Sequence, residues 1–596
     1  VSIDPPLLPH PPAIALHLSV GVTGHRGVVA ATTDATVAGL LAALAAATDR
    51  VWRQDAAIFT PDAPSLRLVT ALAEGADQAV AKVALVNGYA IHAILPLPQA
   101  DYAKDFSDAD EFDRLIAASQ CVLQLPAQPG GRPDAYALAG RATVAHSDVL
   151  IAVWDGKPAR GRGGTAEVVD LAIRRGLPVI HVPPEPGHPV RILWSGYDPH
   201  VRHEAMHDMP SRPADGAAID RLVADLLGAP TDPAERGFLV DFLNERERTA
   251  RLRIEYPLLL AATGVRGLRR SSFRAAPYVA DARAEWALFR ECSTDAHHGV
   301  TATLDPVEAS YAWSDRLAQH FAQTYRSGHI FNFLLGAIAV LLALTGLLLP
   351  RVKLWLSLAE LLAIIAFVAN TQIGTRGGWH RRWLDYRQLA ERLRPMRSLK
   401  LLGAARPDLD KAKHGRRSWV DWYAASIWRQ AGSPSGRIGV DPAGLIGFLA
   451  AEEIKPQIDY NRASAHQMHA LDHALHRIGL GLFLLSILSC LCFVIGYLAA
   501  HDWVAAHAHI FVFLSAGLPA LGAALFGIRI QGDFNGSAER SIATADALEQ
   551  IETDLLLSQG GLPRATDLFE AAARTMLVDL DEWRLTYAQR RLELPG

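Results

Sequence analysis

Gly161, Gly163 and Gly164 precede Thr165 and Glu167 in a Gly-Arg-Gly-Gly-Thr-Ala-Glu run that follows the apolar stretch 149–154. A strand, a glycine turn and a helix start in that order let the backbone close on a phosphate or ribose. The free N–H groups of the first helical turn then face the negative charge. Two further turns have the same character, Gly21-Val22-Thr23-Gly24-His25-Arg26 and Ala73-Glu74-Gly75-Ala76-Asp77-Gln78. Thr165 and the N–H groups of Gly163 and Gly164 suit a phosphate, and Glu167 suits a ribose hydroxyl. His25, Arg26 or Arg141 supplies the charge that strengthens neutral contacts. Thr23, Gly24, Glu74, Gly75 and Asp155 complete the candidate binding set. Asp77 reads equally as a ligand contact or as the cap of the next helix, and Arg141 as a ligand contact or a solvated helix face.

These turns need a sheet to hold them. Apolar strands are expected at 16–22, 66–71, 90–97, 121–125, 149–154 and 178–182, with amphipathic helices at 37–52, 76–86, 111–118, 135–146 and 166–175. Alternation of this kind predicts an α/β, Rossmann-like, doubly wound parallel sheet over 15–185. Ligands of such sheets bind at the carboxyl ends of the strands, where all three turns fall. Residues 1–14, proline-rich and without a signal-peptide pattern, are expected to be a disordered lead-in. Residues 186–305 read as a linker or accessory helical region.

The second half has another composition. Runs 330–349, 354–373, 478–500 and 509–528 each have the length and apolarity of a membrane-spanning helix, which predicts an all-α four-helix membrane region with cytosolic helices. Only Pro350–Val352 and Lys353 part the first two runs, which requires a hairpin inside 306–400, and 478–528 forms the second. Arg376, Arg381, Arg382, Arg387, Arg392, Arg394, Arg397 and Lys400 follow the second run, against only Asp385 and Glu391 nearby. That bias places 401–477, 529–596 and both termini on the cytoplasmic side. It also offers an anionic lipid surface a partner. Glu360 is the one acid within a span, where a charge costs about 2.5–3.5 kcal/mol, so it is protonated, paired or facing water in a pore or bundle interior. Ala516, Ala520 and Ala524 offer a small-residue face. Trp419, Trp422, Tyr423 and Trp428 form either an interfacial helix or a buried cluster. Helices carrying Leu317, Phe321 and Tyr325, and Met468, Leu471 and Leu475, lead into the hairpins. Others, with Trp379, Trp383, Tyr386 and Leu393, and with Met576, Leu580, Trp583 and Tyr587, follow them, in a weak internal repeat.

Val22-Thr23-Gly24-His25-Arg26, Leu72-Ala73-Glu74-Gly75-Ala76-Asp77, Leu95-Pro96-Leu97-Pro98, and Ser147-Asp148-Val149-Leu150-Ile151-Ala152 ahead of Gly163-Gly164-Thr165 together resemble the SLOG superfamily of DprA-type and Lonely Guy-type Rossmann-like domains. The resemblance covers about 15–185. It implies a pocket for a nucleotide or a nucleotide-derived messenger, ADP-ribose-like or cyclic, and no other cofactor. The Lonely Guy enzymes, which release the base of nucleoside monophosphates, carry a glutamate three residues after the threonine and an arginine-lysine pair on the preceding helix. Here Glu167 follows Thr165 by two residues and Arg141 lacks the lysine. The resemblance therefore implies a sensor joined to a SLATT-like or TRP-like four-span membrane effector, a homo-oligomer in a bacterial inner membrane, with a role in anti-phage or stress defence. A membrane-anchored phosphoribohydrolase using Glu167 and Arg141, or a non-catalytic scaffold, is the alternative.

Composition agrees with the membrane half. The chain of 596 residues is 50% hydrophobic and 20% charged, and a net charge of -4 gives no reason to expect nucleic acid as a partner. Four cysteines without a framework pattern predict free thiols. His466, His469, His473 and His476 have helical spacing without a matching carboxylate or thiol, so no metal is expected.

Overall fold

The computed structural model describes residues 9–26, 31–158, 161–185, 187–198, 208–294, 300–406, 418–438, 441–557 and 561–588. Strands β1 (His17–Gly24), β2 (Ser65–Thr70), β3 (Ala90–Leu95), β4 (Ser119–Gln124), β5 (Val149–Val153) and β6 (Val179–Val182) lie where the alternation places them. They run parallel in the order β6-β5-β1-β2-β3-β4. The chain winds outward from β1 to β4, then returns across β1 to β5 and β6. The strand order therefore reverses between β1 and β5, which opens a crevice there. Side chains of β5 divide by parity: Val149, Ile151 and Val153 enter one hydrophobic cluster, Leu150 and Ala152 another. A strand buried on both faces is what helices packed on both sides produce.

The sheet is larger and more mixed than a six-stranded parallel one. Past residue 185 the chain adds β7 (Arg191–Leu193) and β8 (Ser211–Pro213), both antiparallel. The helix Gly216–Leu227 then packs on Ala31–Gln54. At the far edge β10 (Ser435–Arg437) joins β4 and β9 (Val300–Thr301) joins β10, so among the described residues ten strands make one sheet. The segment between the hairpins is thereby part of the α/β unit. Trp419, Trp422, Tyr423 and Trp428 of the helix Trp419–Ala431 are buried, which resolves them as core rather than an interfacial face. Trp422 donates to the Leu227 carbonyl at 2.9 Å, and Tyr423 donates to the Pro12 carbonyl at 2.8 Å. Residues 1–8 of the expected lead-in lie outside the described residues. The rest is ordered by packing, with Ile14 bridged to Phe59.

The helical half follows one plan twice. Asp305–Leu348 turns through Pro350–Val352 into Lys353–Arg376, and Lys455–Ala499 turns through His501–Ala506 into Ala508–Gly532. Each returning helix ends at a left-handed residue, Gly378 (φ 60°) or Asp533 (φ 47°). A further helix, Trp379–Leu393 or Phe534–Leu557, then folds back along the long one. Side chains of Leu580, Trp583 and Tyr587 lie outside the described residues. The four apolar helices pack in the order Lys353–Arg376, Asp305–Leu348, Ala508–Gly532, Lys455–Ala499. Close approach occurs at Gly517, where a Cβ would stand 3.0 Å from Leu341, and at Gly527, where it would meet Phe333. Ala524 is buried between them but Ala516 is exposed, so the expected alanine row is not the contact.

Among the described residues, five helical stretches are long and apolar enough to cross a membrane by length and composition, one more than the four expected. The addition, Thr33–Gln54, is alanine-rich, and its Val37, Leu40, Leu41, Leu44 and Val51 pack into the main core with the strands. The other stretches leave apolar side chains uncovered, among them Leu354 (79% exposed), Trp355 and Leu498. Such continuous apolar surface is compatible with a membrane.

Candidate functional site

A crevice of about 340 Å³ lies at the reversal between β1 and β5. Of the expected residues, Thr23, Gly24, His25, Arg26, Asp77, Asp155, Gly161, Gly163, Gly164 and Thr165 line it. Backbone approach shapes it. A Cβ on Gly24 would fall 2.9 Å from the Val153 carbonyl oxygen, and one on Gly163, at φ +78°, would fall 2.7 Å from that of Pro133. Gly75 (φ +99°) does not line the crevice but fixes its wall, since a Cβ there would lie 2.7 Å from the His25 carbonyl oxygen. Only glycine takes such dihedrals without strain. Thr165 begins the helix Thr165–Arg174 after Gly164, so the first-turn N–H groups and the positive end of its dipole border the crevice.

Charged groups sit around this frame. His25 Nε2 is 3.1 Å from Asp155 Oδ1 and 3.3 Å from its backbone nitrogen. Desolvation opposes ionisation of Asp155, but the Lys157 backbone N–H and the His25 ring outweigh it and hold the carboxyl below its ordinary value. Asp77 is buried beside the Thr70 hydroxyl, which donates to it at 3.2 Å. Burial pushes its pKa up to about 7, more than that hydrogen bond and nearby backbone donors pull it down. Asp77 does not cap its helix: Gly75 stands at the N-cap.

Three expected contacts lie elsewhere. Glu74 accepts from Ser107. Arg141 is ion-paired to Asp567 of the helix Gly561–Ala588, replacing both the ligand contact and the solvated face. Glu167 turns back on its own loop and accepts from the Gly163 N–H at 2.6 Å. None of the three lines the crevice.

Sequence reading missed Tyr102, Tyr136, Lys157 and Arg162, which do line it. The Arg26 guanidinium sits 4.9 Å from the Tyr136 ring centroid. Tyr102, 1% exposed, has no hydrogen-bond partner for its hydroxyl among the described residues. A buried unpaired hydroxyl costs about 1–3 kcal/mol, and a ligand acceptor would relieve that cost. Chain position gave no signal for either tyrosine, since each sits outside the glycine turns.

No family model, curated protein or solved structure matches this chain.

In the helical half, Glu360 is half-buried on Lys353–Arg376 with no ion-pair or hydrogen-bond partner among the described residues. Buried polarity gathers instead near the base of the first hairpin. Asn370 donates to the Gly328 carbonyl at 2.9 Å and to Asn332 Oδ1 at 2.8 Å, and Asn332 donates to Thr371 at 2.9 Å. Arg253 donates to Asn370 Oδ1 at 2.6 Å. At the second hairpin, Arg529 grips Asp472 through two contacts of 2.7 and 2.9 Å.

The basic run from Arg376 to Lys400 is not a free cationic surface. Arg381 pairs with Asp241, Arg382 with Glu245, Arg387 with Glu391, Arg392 with Asp421 and Arg397 with Glu453. Lys400 is buried, donating to the Gly432 carbonyl with its ammonium over the Trp428 ring. Acids distant in sequence neutralise what looks unopposed locally.

Proposed function

We propose that this protein is a membrane receptor–effector in which the β1/β5 crevice binds a nucleotide-derived ligand and the apolar hairpins act on the bilayer. The observation that carries the reading is the convergence of all three glycine turns on one crevice at the strand reversal. A helix N-terminus, a histidine–aspartate pair and an unpaired tyrosine hydroxyl suit phosphate, ribose and base respectively. The apolar surface of the four hairpin helices suits lipid, with the sheet and both termini in the cytoplasm of a bacterial inner membrane. A single layer of four helices does not enclose a pore, so the reading requires several copies. On the resemblance in the sequence, pore opening or membrane disruption in anti-phage or stress defence is the output.

Glu167 supports binding over hydrolysis. Its carboxylate holds the Gly163 N–H rather than facing the crevice, which leaves base release without its carboxylate.

The test uses the full chain in lipid nanodiscs and in liposomes, with ADP-ribose, cyclic nucleotides and nucleoside monophosphates. Saturable binding without base release, together with ligand-dependent leakage of a trapped dye, is the expected result. Base release that disappears in Glu167→Ala would replace the sensor by the hydrolase, and absence of binding by every probe would leave a scaffold.

A further inference from the structure

A cavity larger than the sheet crevice lies in the helical half. It measures about 1050 Å³ and is walled by both hairpin units and the segment that precedes them. The first unit contributes Tyr311 to Arg326 and Trp383 to Arg394, the second contributes Pro456 to Met468 and Ser537 to Ser541. Tyr256 and Leu260, on its wall, belong to the same cluster as Ile330, Leu471 and Ile528. The cavity therefore meets the apolar layer at its polar end.

Its wall is cationic. Eight arginines line it against three carboxylates, Asp281, Glu285 and Asp315. Half of those arginines are compensated: Arg316 by Asp281, Arg387 and Arg394 by Glu391, and Arg540 by Asp533. Arg251, Arg266, Arg274 and Arg326 have no carboxylate within ion-pair distance among the described residues. Arg326 is poised for a ligand, its guanidinium 5.2 Å from the ring centroids of both Tyr256 and Trp383. Ring contacts fix its plane without using its N–H groups. Arg251 bonds only neutral acceptors, the Ser271 carbonyl and the Gln319 and Gln323 amides. Its burial, with the adjacent Arg316 charge, pushes its pKa down by more than Tyr278 and Asp315 raise it.

We infer that this cavity is a second anion site, distinct from the sheet crevice, and that it takes a phosphate-bearing polyanion which bridges the two hairpin units. Guanidinium groups in a fixed plane bind phosphate through paired charge-assisted hydrogen bonds. The volume admits a group of drug size. Its position allows the phosphate to come from a lipid headgroup at the bilayer edge or from a soluble molecule.

The experiment separates these sources. The full chain in neutral detergent is titrated with tripolyphosphate. In parallel, the chain is placed in nanodiscs of phosphatidylcholine with or without phosphatidylglycerol, and thermal unfolding is followed in both arms. Arg251→Gln and Arg326→Gln are compared with Arg266→Gln/Arg274→Gln, whose exposed positions leave folding unchanged. A tripolyphosphate shift weakened about tenfold or more in Arg326→Gln establishes a soluble polyanion. Stabilisation seen only with phosphatidylglycerol, and lost in the same variants, establishes a headgroup. No shift in either arm, or shifts that every arginine variant retains, overturns the site. So does a tripolyphosphate shift that Gly163→Val abolishes and Arg326→Gln keeps, since the anion then lies in the sheet crevice.

Discussion

As proposed sites for a negative ligand, the sheet crevice and the arginine cavity are built by opposite means. At the crevice the backbone does the shaping. Gly24, Gly75 and Gly163 let chain segments approach more closely than any side chain allows, and helix N–H groups supply the field. At the cavity, side chains from four separated stretches supply charge, and the surrounding helices are held by buried ion pairs. Backbone-built sites tolerate no Cβ but are indifferent to lost charge. Charge-built sites behave the other way, because a single missing carboxylate leaves a buried cation behind.

Glu453 offers the strongest break. It is 2% exposed, accepts from Arg397 Nε at 2.7 Å and from Ser398 at 2.9 Å, and lies 3.9 Å from Arg394. Glu453→Ala leaves two buried guanidiniums with less counter-charge, a loss of about 3–5 kcal/mol. Denaturant unfolding should show it, while nucleotide affinity at the crevice stays unchanged in the folded fraction. A loss below about 1 kcal/mol would mean that water reaches the pair.

Asp77 sharpens the crevice side through pH. Its folded pKa of about 7 stands above the ordinary 3.8, so the native carboxyl keeps its proton where the unfolded one has lost it. Stability from this group is therefore intact below about pH 4 and falls as pH rises to about 7, at roughly 1.4 kcal/mol per unit. Asp77→Asn removes that slope. The variant should exceed the parent by about 2–4 kcal/mol at pH 8 and match it near pH 4. Buried His17, His92 and His146, with pKa values lowered to about 3, 4 and 3 by burial, impose the opposite slope on both proteins and cancel in the difference. A difference that does not change with pH would show Asp77 to be ionised.

Gly163→Ala tests the backbone directly. The substituted residue meets both an unfavourable φ and a contact 2.7 Å from the Pro133 oxygen, which together cost about 1–3 kcal/mol. Because the loop must move to relieve the contact, ligand affinity should fall at least tenfold, by about 1.4 kcal/mol or more. Unchanged affinity by calorimetry would show that the loop does not touch the ligand.

What was legible in the chain follows the same division. Strands β1 to β6 and the glycine turns declared themselves because each is local: a run of apolar residues, then a residue type that alone permits the dihedral. The edge strands β9 and β10 did not, being two and three residues long, with no period to detect. The arginine run after Arg376 was visible, but its partners Asp241, Glu245, Asp421 and Glu453 come from other elements, so local charge misstated the surface. The cavity was invisible for the same reason. Its uncompensated arginines span Arg251 to Arg326 and meet only when the segment before the first hairpin packs on the helix Asp305–Leu348.

Arg141 links the crevice side of the sheet to the helical half, and it carries the smallest expected effect. Its helix, Arg132–Ala145, contributes Tyr136 to the crevice, and its side chain reaches Asp567 on the helix Gly561–Ala588. That helix also pairs Glu570 with Arg175 and packs on Trp379–Leu393, which folds along the first long helix. The contact thus joins a crevice-lining helix to the helical half through side chains alone. Arg141 is about a quarter exposed and Asp567 about half, so the pair contributes less than about 1 kcal/mol. Arg141→Ala should leave nucleotide affinity within about twofold, since the guanidinium does not line the crevice. If the pair carries the signal, ligand-dependent dye leakage falls while binding persists. Loss of binding itself would return Arg141 to the ligand, and loss of neither would move the coupling to Arg175 and Glu570.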